Sequence, residues 1–256
     1  RCGYAVILRD VEKRFLDRAL DSIGKNLDRE ARKGKIAEAD KPQILARIAP
    51  ATEMSAIAAA DFVVEAVPER LDIKSEALAQ ADRILRPEAI MATNTSSISI
   101  TALGAATNRP DRFLGMHFMN PVPVMPLIEV IRSKQTSDAA FDLTMQLCKK
   151  LGKTPVAVND SPGFVSNRVL MPLINEAAYC VMEGVATAES VDTVMKLGMN
   201  HPMGPLELAD FIGLDVCLDI MAVLFEGFGA PHMAPPAVLR EHVAAGRLGQ
   251  KSGRGF

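Results

Sequence analysis

The sequence predicts an α/β fold, a doubly wound and mostly parallel sheet, followed by an all-α domain. Up to residue 159, short apolar runs alternate with amphipathic segments, which is typical of buried parallel strands joined by helical crossovers. From residue 160 onward nearly every segment has helical periodicity, and the segments are separated by Gly/Pro turns. We therefore predict two domains, residues 1–159 and residues 160–256.

Five apolar runs are predicted to be the strands of the first domain. They are Ala5–Leu8, Phe62–Val64, Ala89–Ala92, Phe113–Phe118 and Leu127–Ile131. A long helix follows the first run, with Phe15, Ala19, Ile23 and Leu27 on one face and Gly34 as its end. Two further helices are predicted over Ile73–Leu85 and Ala139–Leu151.

The second domain is predicted to begin at a helix with Ser161 as N-cap and Pro162 at its first position. Its helices are expected over Asn167–Met182, Ala188–Leu197, Glu207 through Gly213 to Phe225, and Pro236–Ala245. The segment Leu214–Phe225 is apolar on most sides, so it requires burial on more than one side. It is either the central helix of this domain or part of a dimer interface.

Composition excludes several classes of protein. The 256 residues are 48% hydrophobic, and 31 acidic residues slightly outnumber 29 basic ones with no long block of like charge. Nucleic acid is therefore not an expected partner, and no apolar run is long enough to span a bilayer. The four cysteines and four histidines are scattered, which predicts neither disulfides nor a metal site. We expect a soluble cytoplasmic protein.

His117 is the most informative residue of the chain. It lies in an apolar stretch, and Glu129 follows twelve positions later inside a second apolar run. An imidazole oriented by a carboxylate moves protons to and from a substrate oxygen at neutral pH. The alternative is a histidine that is simply a satisfied core residue, because spacing alone does not place Glu129 beside it.

Polar residues follow several of the predicted strands, where a parallel sheet binds its ligands. Asp10 ends the first strand, where it is either a plain turn aspartate or an acceptor for the hydroxyls of an adenine ribose, and the second interpretation favours NAD over NADP. The later strands are followed by Glu65 and Glu69, by Asn94-Thr95-Ser96-Ser97, and by His117 and Asn120. This convergence at one edge predicts an active site.

The sequence contains no Gly-x-Gly-x-x-Gly phosphate loop. A strand that begins almost at residue 1, with Gly3 before it, leads us to expect that a strand and a glycine loop precede Arg1. The end at Gly255-Phe256 likewise reads as a few residues short. The 256 residues by themselves are then expected to bind NAD poorly, since the loop amides would hold the pyrophosphate.

Several motifs resemble the 3-hydroxyacyl-CoA dehydrogenases, in particular the short single-function 3-hydroxybutyryl-CoA dehydrogenases. They are Phe62–Glu69, Asn94–Ser97, Gly115–Pro123 with Glu129, Ser161–Arg168 and Gly198–Leu208. The resemblance runs along the whole chain and implies a Rossmann-type domain, NAD as cofactor, an acyl-CoA substrate and a homodimer formed through the helical domain.

The resemblance also implies a role for individual residues. His117 matches the general base, Glu129 the carboxylate that holds it, and Ser96 and Asn167 the residues that hydrogen-bond the substrate oxygen. The implied cofactor contacts are Asp10, Glu69, Lys74, Ser96, Asn120 and Lys251, and those to CoA are Ser96 and Lys33. Lys33 is equally well explained as a solvated lysine at a helix end.

Two other functions fit the same sequence. One is an NAD-dependent dehydrogenase of a free hydroxy or sugar acid, of the gulonate type, which would share the His/Glu pair. The other is a non-catalytic NAD-binding or structural protein on this scaffold, as some lens crystallins are. Acyl chain length and pathway do not follow from the residues.

Overall fold

The computed structural model describes residues 1–256, and the chain divides into two compact units. The amino-terminal unit comprises residues 1–95 and 100–158, and the carboxyl-terminal unit comprises residues 96–99 and 159–256. None of the helices is long and apolar enough to cross a lipid bilayer.

The amino-terminal unit has the predicted α/β class. Its strands are β1 (Val6–Arg9), β2 (Ile48–Ala51), β3 (Phe62–Glu65), β4 (Ile90–Thr93), β5 (Phe113–Phe118), β6 (Leu127–Arg132) and β7 (Thr154–Asn159). Its helices are α1 (Lys13–Arg32), α2 (Lys41–Ala46), α3 (Leu71–Ile84), α4 (Ile100–Gly104) and α5 (Asp138–Lys150). The fold class is confirmed.

The strands form two sheets rather than the single sheet expected. β1 and β2 pair in parallel, and the main sheet has the order β3-β4-β5-β6-β7. Its first three strands are parallel, whereas β5 and β6 are antiparallel. A short loop joins β5 to β6, and a connection without a helix suits an antiparallel pair.

The core of this unit lies between the main sheet and α5. Alternate residues of β4, β5 and β6 point to the same face of the sheet and pack with residues of the helix. This cluster contains Ile90, Ala92, Leu114, Met116, Ile128, Val130, Ala140 and Cys148. The strands that carry the polar residues are therefore fixed by burial on this face.

The apolar face predicted for α1 is wrong at its first position. Phe15 is 39% exposed and lies under the Arg14 guanidinium, while the neighbouring Leu16 is buried together with Leu27. Because successive residues of an α-helix are ~100° apart, Phe15 lies beside the buried stripe that runs through Leu16 and Leu27.

The carboxyl-terminal unit is helical, as predicted. Its helices are α6 (Ser166–Met182), α7 (Ala188–Gly198), α8 (Pro205–Ile212), α9 (Leu214–Phe228) and α10 (Ala237–Ala244). Residues of α6, α8, α9 and α10 form one core cluster around Met171, Ile174, Leu214 and Met221. The buried residues of α9, Leu214, Cys217, Met221 and Leu224, lie on one face of the helix, whereas Val216 and Phe225 are exposed. Within the chain α9 is therefore not buried on more than one side.

Two predicted features of this unit are wrong. Ser161 does not cap α6, because Gly163 and Phe164 both have left-handed φ values, +71° and +53°, and the helix begins only at Ser166. The helix expected to run through Gly213 is broken there, since Gly213 has a φ of +108°. A residue in that conformation cannot continue a right-handed helix.

Candidate active site

His117 and Glu129 form a buried pair in the amino-terminal unit. They are register partners on the antiparallel strands β5 and β6. His117 Nδ1 lies 2.7 Å from Glu129 Oε2, and both residues are buried. A carboxylate acceptor at this distance selects the tautomer with its proton on Nδ1, which makes Nε2 the basic nitrogen of the neutral ring. The pair expected from sequence is formed.

The loop after β4 is tied to the strand that carries His117. Asn94 Oδ1 accepts a hydrogen bond from the Phe118 backbone amide at 2.9 Å, and the backbone amide of Asn94 donates to Glu65 O at 2.8 Å. Asn94 thereby links β3 and β5 at the carboxyl ends of the parallel strands, and it fixes the position of the residue next to His117.

Glu69 and Lys74 lie in the loop after β3 and in the first turns of α3. Lys74 Nζ lies 3.3 Å from Glu69 Oε2, and Glu69 Oε1 accepts a hydrogen bond from Thr95 Oγ1 at 2.6 Å. Lys74 is 1% exposed, whereas the Glu69 side chain is 39% exposed. The structure therefore brings these two predicted cofactor contacts together, but it buries one of them.

Ser96 and Asn167 are brought together inside the carboxyl-terminal unit. Asn167 Nδ2 donates to Ser96 O at 2.9 Å, and Asn167 itself is buried near the start of α6. Ser99 Oγ donates to Asp160 Oδ2 at 2.8 Å in the same unit. The segment 96–99 is therefore held by residues that lie more than sixty positions later in the chain.

Lys251, the remaining candidate in the carboxyl-terminal unit, forms an ion pair with Asp215 in the first turn of α9. Burial raises the pKa of Asp215, but the hydrogen bond and charge of Lys251, together with hydrogen bonds from the backbone amides of Val216 and Asp215, outweigh burial and hold the pKa below its usual value. The Lys251 side chain is partly exposed, and its ammonium is oriented by the carboxylate.

Asp10, Lys33 and Asn120 lie in the amino-terminal unit without a hydrogen bond or ion pair to another predicted site residue. Asp10 follows β1, and its Oδ1 accepts a hydrogen bond from the Val11 amide at 2.7 Å. Asn120 is exposed directly before the cis peptide bond to Pro121. Lys33 is exposed at the end of α1, as expected of a solvated helix-end lysine.

Sequence reasoning placed Glu65 among the polar residues at this edge but gave it no role, and it did not include Thr93. Both are buried, Thr93 Oγ1 donates to Glu65 Oε2 at 2.6 Å, and Lys74 Nζ lies 2.9 Å from Glu65 Oε1. The signal available in the sequence was a glutamate at the end of an apolar strand, followed nine positions later by a lysine in a helix.

Parallel strands that end in acidic and amide side chains, with a buried His–Glu pair on the next strands, define a dinucleotide-dependent dehydrogenase. Comparison with known proteins agrees. Residues 1–161 match the NAD binding domain of 3-hydroxyacyl-CoA dehydrogenase, and residues 163–256 match its C-terminal domain. The chain belongs to the 3-hydroxyacyl-CoA dehydrogenase family, whose members are NAD-dependent oxidoreductases.

Individual relatives are similar over nearly the whole chain. A probable 3-hydroxybutyryl-CoA dehydrogenase of Deinococcus radiodurans is 54% identical, over 99% of this chain and 91% of the relative. The 3-hydroxybutyryl-CoA dehydrogenase of Bradyrhizobium diazoefficiens is 47% identical, over 99% and 87%. The crystal structure of (S)-3-hydroxybutyryl-CoA dehydrogenase from Ralstonia eutropha matches with a TM-score of 0.97 at 49% identity, over 99% and 90%.

Proposed function

We propose that this chain catalyses the reversible NAD-dependent oxidation of a short-chain (S)-3-hydroxyacyl-CoA, such as 3-hydroxybutanoyl-CoA, to the 3-oxoacyl-CoA. The observation that carries the proposal is the buried His117–Glu129 pair, at 2.7 Å on register-matched strands. The names of relatives at 47% and 54% identity support the acyl-CoA substrate and its short chain.

His117 is proposed as the general base. With Nδ1 donating to Glu129, Nε2 takes the proton of the 3-hydroxyl, and the carboxylate stabilises the resulting imidazolium. When bound, NAD accepts the hydride from carbon 3. In the reverse direction the imidazolium returns its proton to the developing alkoxide, so the same pair serves both directions.

Ser96 and Asn167 are proposed to hydrogen-bond the substrate oxygen. The side-chain amide of Asn167 donates through Nδ2 to Ser96 O, and this hydrogen bond fixes the two residues relative to each other. Fixed donors at an oxygen that gains and loses negative charge lower the barrier in both directions.

The proposed cofactor contacts are Asp10, Glu69, Ser96, Asn120 and Lys251, whereas Lys74 is 1% exposed and pairs with the buried Glu65. The Asp10 carboxylate can accept hydrogen bonds from ribose hydroxyls, and the Val11 amide orients it at the end of a parallel strand. Lys33 and Ser96 are proposed to contact CoA. In this scheme residues 1–159 form the dinucleotide-binding domain and residues 160–256 the helical substrate and dimerisation domain, with Lys251 reaching the cofactor and Lys33 and Ser96 the substrate.

We further propose a homodimer formed through the helical unit. Its helices expose many large apolar side chains, among them Val169 on α6, Leu197 on α7 (83% exposed) and Phe211 on α8. Such a density of exposed apolar groups is typical of an interface. Leu197→Lys should then shift the protein toward monomer in light scattering, whereas Glu189→Lys, exposed on the same helix, should not.

We also propose that the protein is cytoplasmic and takes part in fatty-acid or butanoate metabolism. The four cysteines, Cys2, Cys148, Cys180 and Cys217, are all free, as expected of a reducing compartment. Fractionation of the source cells with antibody against the chain tests the location.

The decisive experiment measures acetoacetyl-CoA-dependent NADH oxidation. It uses the 256-residue chain and an N-extended form, in which a strand and a Gly-x-Gly-x-x-Gly loop precede Arg1. His117→Ala is the control in both. Turnover that disappears in the control supports the proposal, whereas NADH binding without turnover in either form contradicts it.

A second candidate substrate is a free hydroxy acid or other carboxylic acid. A crystal structure of 5-formyl-3-hydroxy-2-methylpyridine 4-carboxylic acid 5-dehydrogenase, an NAD-dependent dismutase, matches at 31% identity with a TM-score of 0.79. The same fold therefore occurs with a substrate named without CoA. A kcat/KM for acetoacetate equal to that for acetoacetyl-CoA would favour this candidate.

A further inference from the structure

Lys74 is buried at a position where a lysine is normally exposed. It is the fourth residue of α3, yet it is 1% exposed and lies against the carboxyl ends of β3 and β4. Together with Glu65 on β3 and Thr93 on β4 it forms a buried charged group, which we call the β3–α3 cluster. Burying two charges is costly and is seldom a source of stability, so the arrangement calls for another role.

All hydrogen-bond donors of the Lys74 ammonium have acceptors within the protein. It lies 2.9 Å and 3.2 Å from the two oxygens of Glu65, 3.1 Å from Val67 O and 3.3 Å from Glu69 Oε2. An ammonium has three N–H donors, and these four acceptors occupy all of them. Lys74 therefore has no donor and no exposed surface left for a bound dinucleotide.

Glu65 is equally saturated. Its Oε1 also accepts a hydrogen bond from the Val67 amide at 2.5 Å, and its Oε2 accepts from Thr93 Oγ1. The pair therefore holds both the amide and the carbonyl of Val67, which fixes the backbone of the loop between β3 and α3.

Glu69 is the part of this network that reaches the surface. One carboxylate oxygen is held by Lys74 and the other by Thr95, and the side chain is 39% exposed. A carboxylate fixed at the carboxyl end of a parallel strand accepts hydrogen bonds from ribose hydroxyls. The β3–α3 cluster thus orients the partly exposed Glu69 carboxylate, while the charges of Lys74 and Glu65 themselves stay buried.

We propose that Lys74 and Glu65 are positioning residues: they fix the Val67 backbone and the Glu69 carboxylate, and they act on the cofactor only through Glu69. The proposal rests on the proposed function, since it assumes that Glu69 contacts NAD. The alternative is a direct contact between Lys74 and the cofactor, and the burial of Lys74 opposes this alternative.

A double-mutant cycle separates the two roles. The dissociation constant for NADH is measured by its fluorescence for the N-extended form, for Lys74→Met, for Glu69→Gln and for the double variant. Each single change is expected to raise the constant about tenfold, and the double variant to stay within about twofold of either single variant. A double variant that shows the product of the two effects would overturn the proposal.

Controls separate positioning from folding and from substrate choice. The double variant Glu65→Gln/Lys74→Met removes both buried charges. It takes the place of Lys74→Met in the cycle if that single variant does not fold. Lys25→Met, in an exposed ion pair on α1, should leave NADH binding unchanged. Binding of NADH requires no acyl-CoA, so a wrong substrate assignment would leave this test intact.

Hydrogen exchange supplies a readout in the 256-residue chain without any ligand. Loss of the cluster should accelerate exchange of the Val67 amide in Glu65→Gln/Lys74→Met, while the amides of α5 exchange as in the parent. An unchanged Val67 rate would contradict the proposal, because the loop would then be held by something else.

Discussion

Asn94 holds the strand that carries His117: its side-chain oxygen accepts the Phe118 amide hydrogen at 2.9 Å. The bond crosses from the loop after β4 to the end of β5, where ladder pairing with β4 has already stopped. One neutral side chain therefore ties the loop after β4 to β5 three residues beyond Gly115, the last residue of β5 paired with β4, and fixes the residue next to His117.

Replacing Asn94 should show this directly. Asn94→Leu leaves the partly buried Phe118 amide without an acceptor, at a cost of about 1–3 kcal/mol in the free energy of unfolding. Asn94→Asp keeps an acceptor oxygen and should lose less. Urea unfolding of both variants checks this, and equal losses would mean that the hydrogen bond is not the cause.

Glu129→Gln is expected to retain the fold and to lower turnover by ~10²–10⁴, the usual contribution of general-base catalysis. An amide can still meet the Nδ1 hydrogen but cannot stabilise the imidazolium as an anion does. The measurement is kcat for acetoacetyl-CoA reduction, beside Glu88→Gln as an exposed control. Turnover within a fewfold of the parent would remove Glu129 from the mechanism.

Gly115 lies two residues before His117 and is closely packed. A Cβ added there would lie 2.8 Å from Ile100 Cδ1 and 2.9 Å from Ile131 Cβ, so Gly115→Ala should destabilise by about 1–3 kcal/mol through overpacking. Gly24→Ala, in the open middle of α1, should instead stabilise by about 0.4–1 kcal/mol. Thermal unfolding of the two variants tests the contrast, and shifts of the same sign would refute it.

Asp82 on α3 holds the segment before β5. Burial raises the pKa of Asp82, but hydrogen bonds from Asn108 and from Arg109, the latter at 2.5 Å, together hold the pKa below its usual value. A depressed folded pKa gives stability that is present above about pH 4 and is lost as pH falls below it.

Asp82→Asn is accordingly expected to lose about 3–5 kcal/mol at pH 7, since the mostly buried Arg109 would lack its counter-charge. The variant should also show a shallower loss of stability than the parent between pH 4 and pH 2. Urea midpoints across this range measure both effects, and parallel pH curves would contradict the assignment.

The sequence predicted correctly those elements that depend on the apolar pattern of a single segment. The runs around His117 and Glu129 predicted two strands with one polar residue each, but their register depends on the loop between them, which periodicity does not describe. β2 was not predicted because it is short and contains Pro50, a residue that strands accept mainly at an edge.

The errors have a common physical origin in backbone conformation and burial. The breaks at Gly213 and Phe164 depend on positive φ values, and neither residue is marked as a helix end by the apolar pattern around it. The burial of Lys74 depends on Glu65 and Thr93 from two different strands, a tertiary arrangement that helical periodicity cannot show.

Residues 96–99 pack with the carboxyl-terminal unit although strands β4 and β5 enclose them in the chain. A gene fragment ending at residue 159 would thus encode Ser96 and Ser99 without Asn167 and Asp160, their hydrogen-bond partners. A single crossover between two relatives at that point would pair a serine segment from one parent with helix α6 from the other. To keep these hydrogen bonds within one parent, residues 96–99 must come from the same parent as the helical unit. A single crossover at residue 159 cannot achieve this.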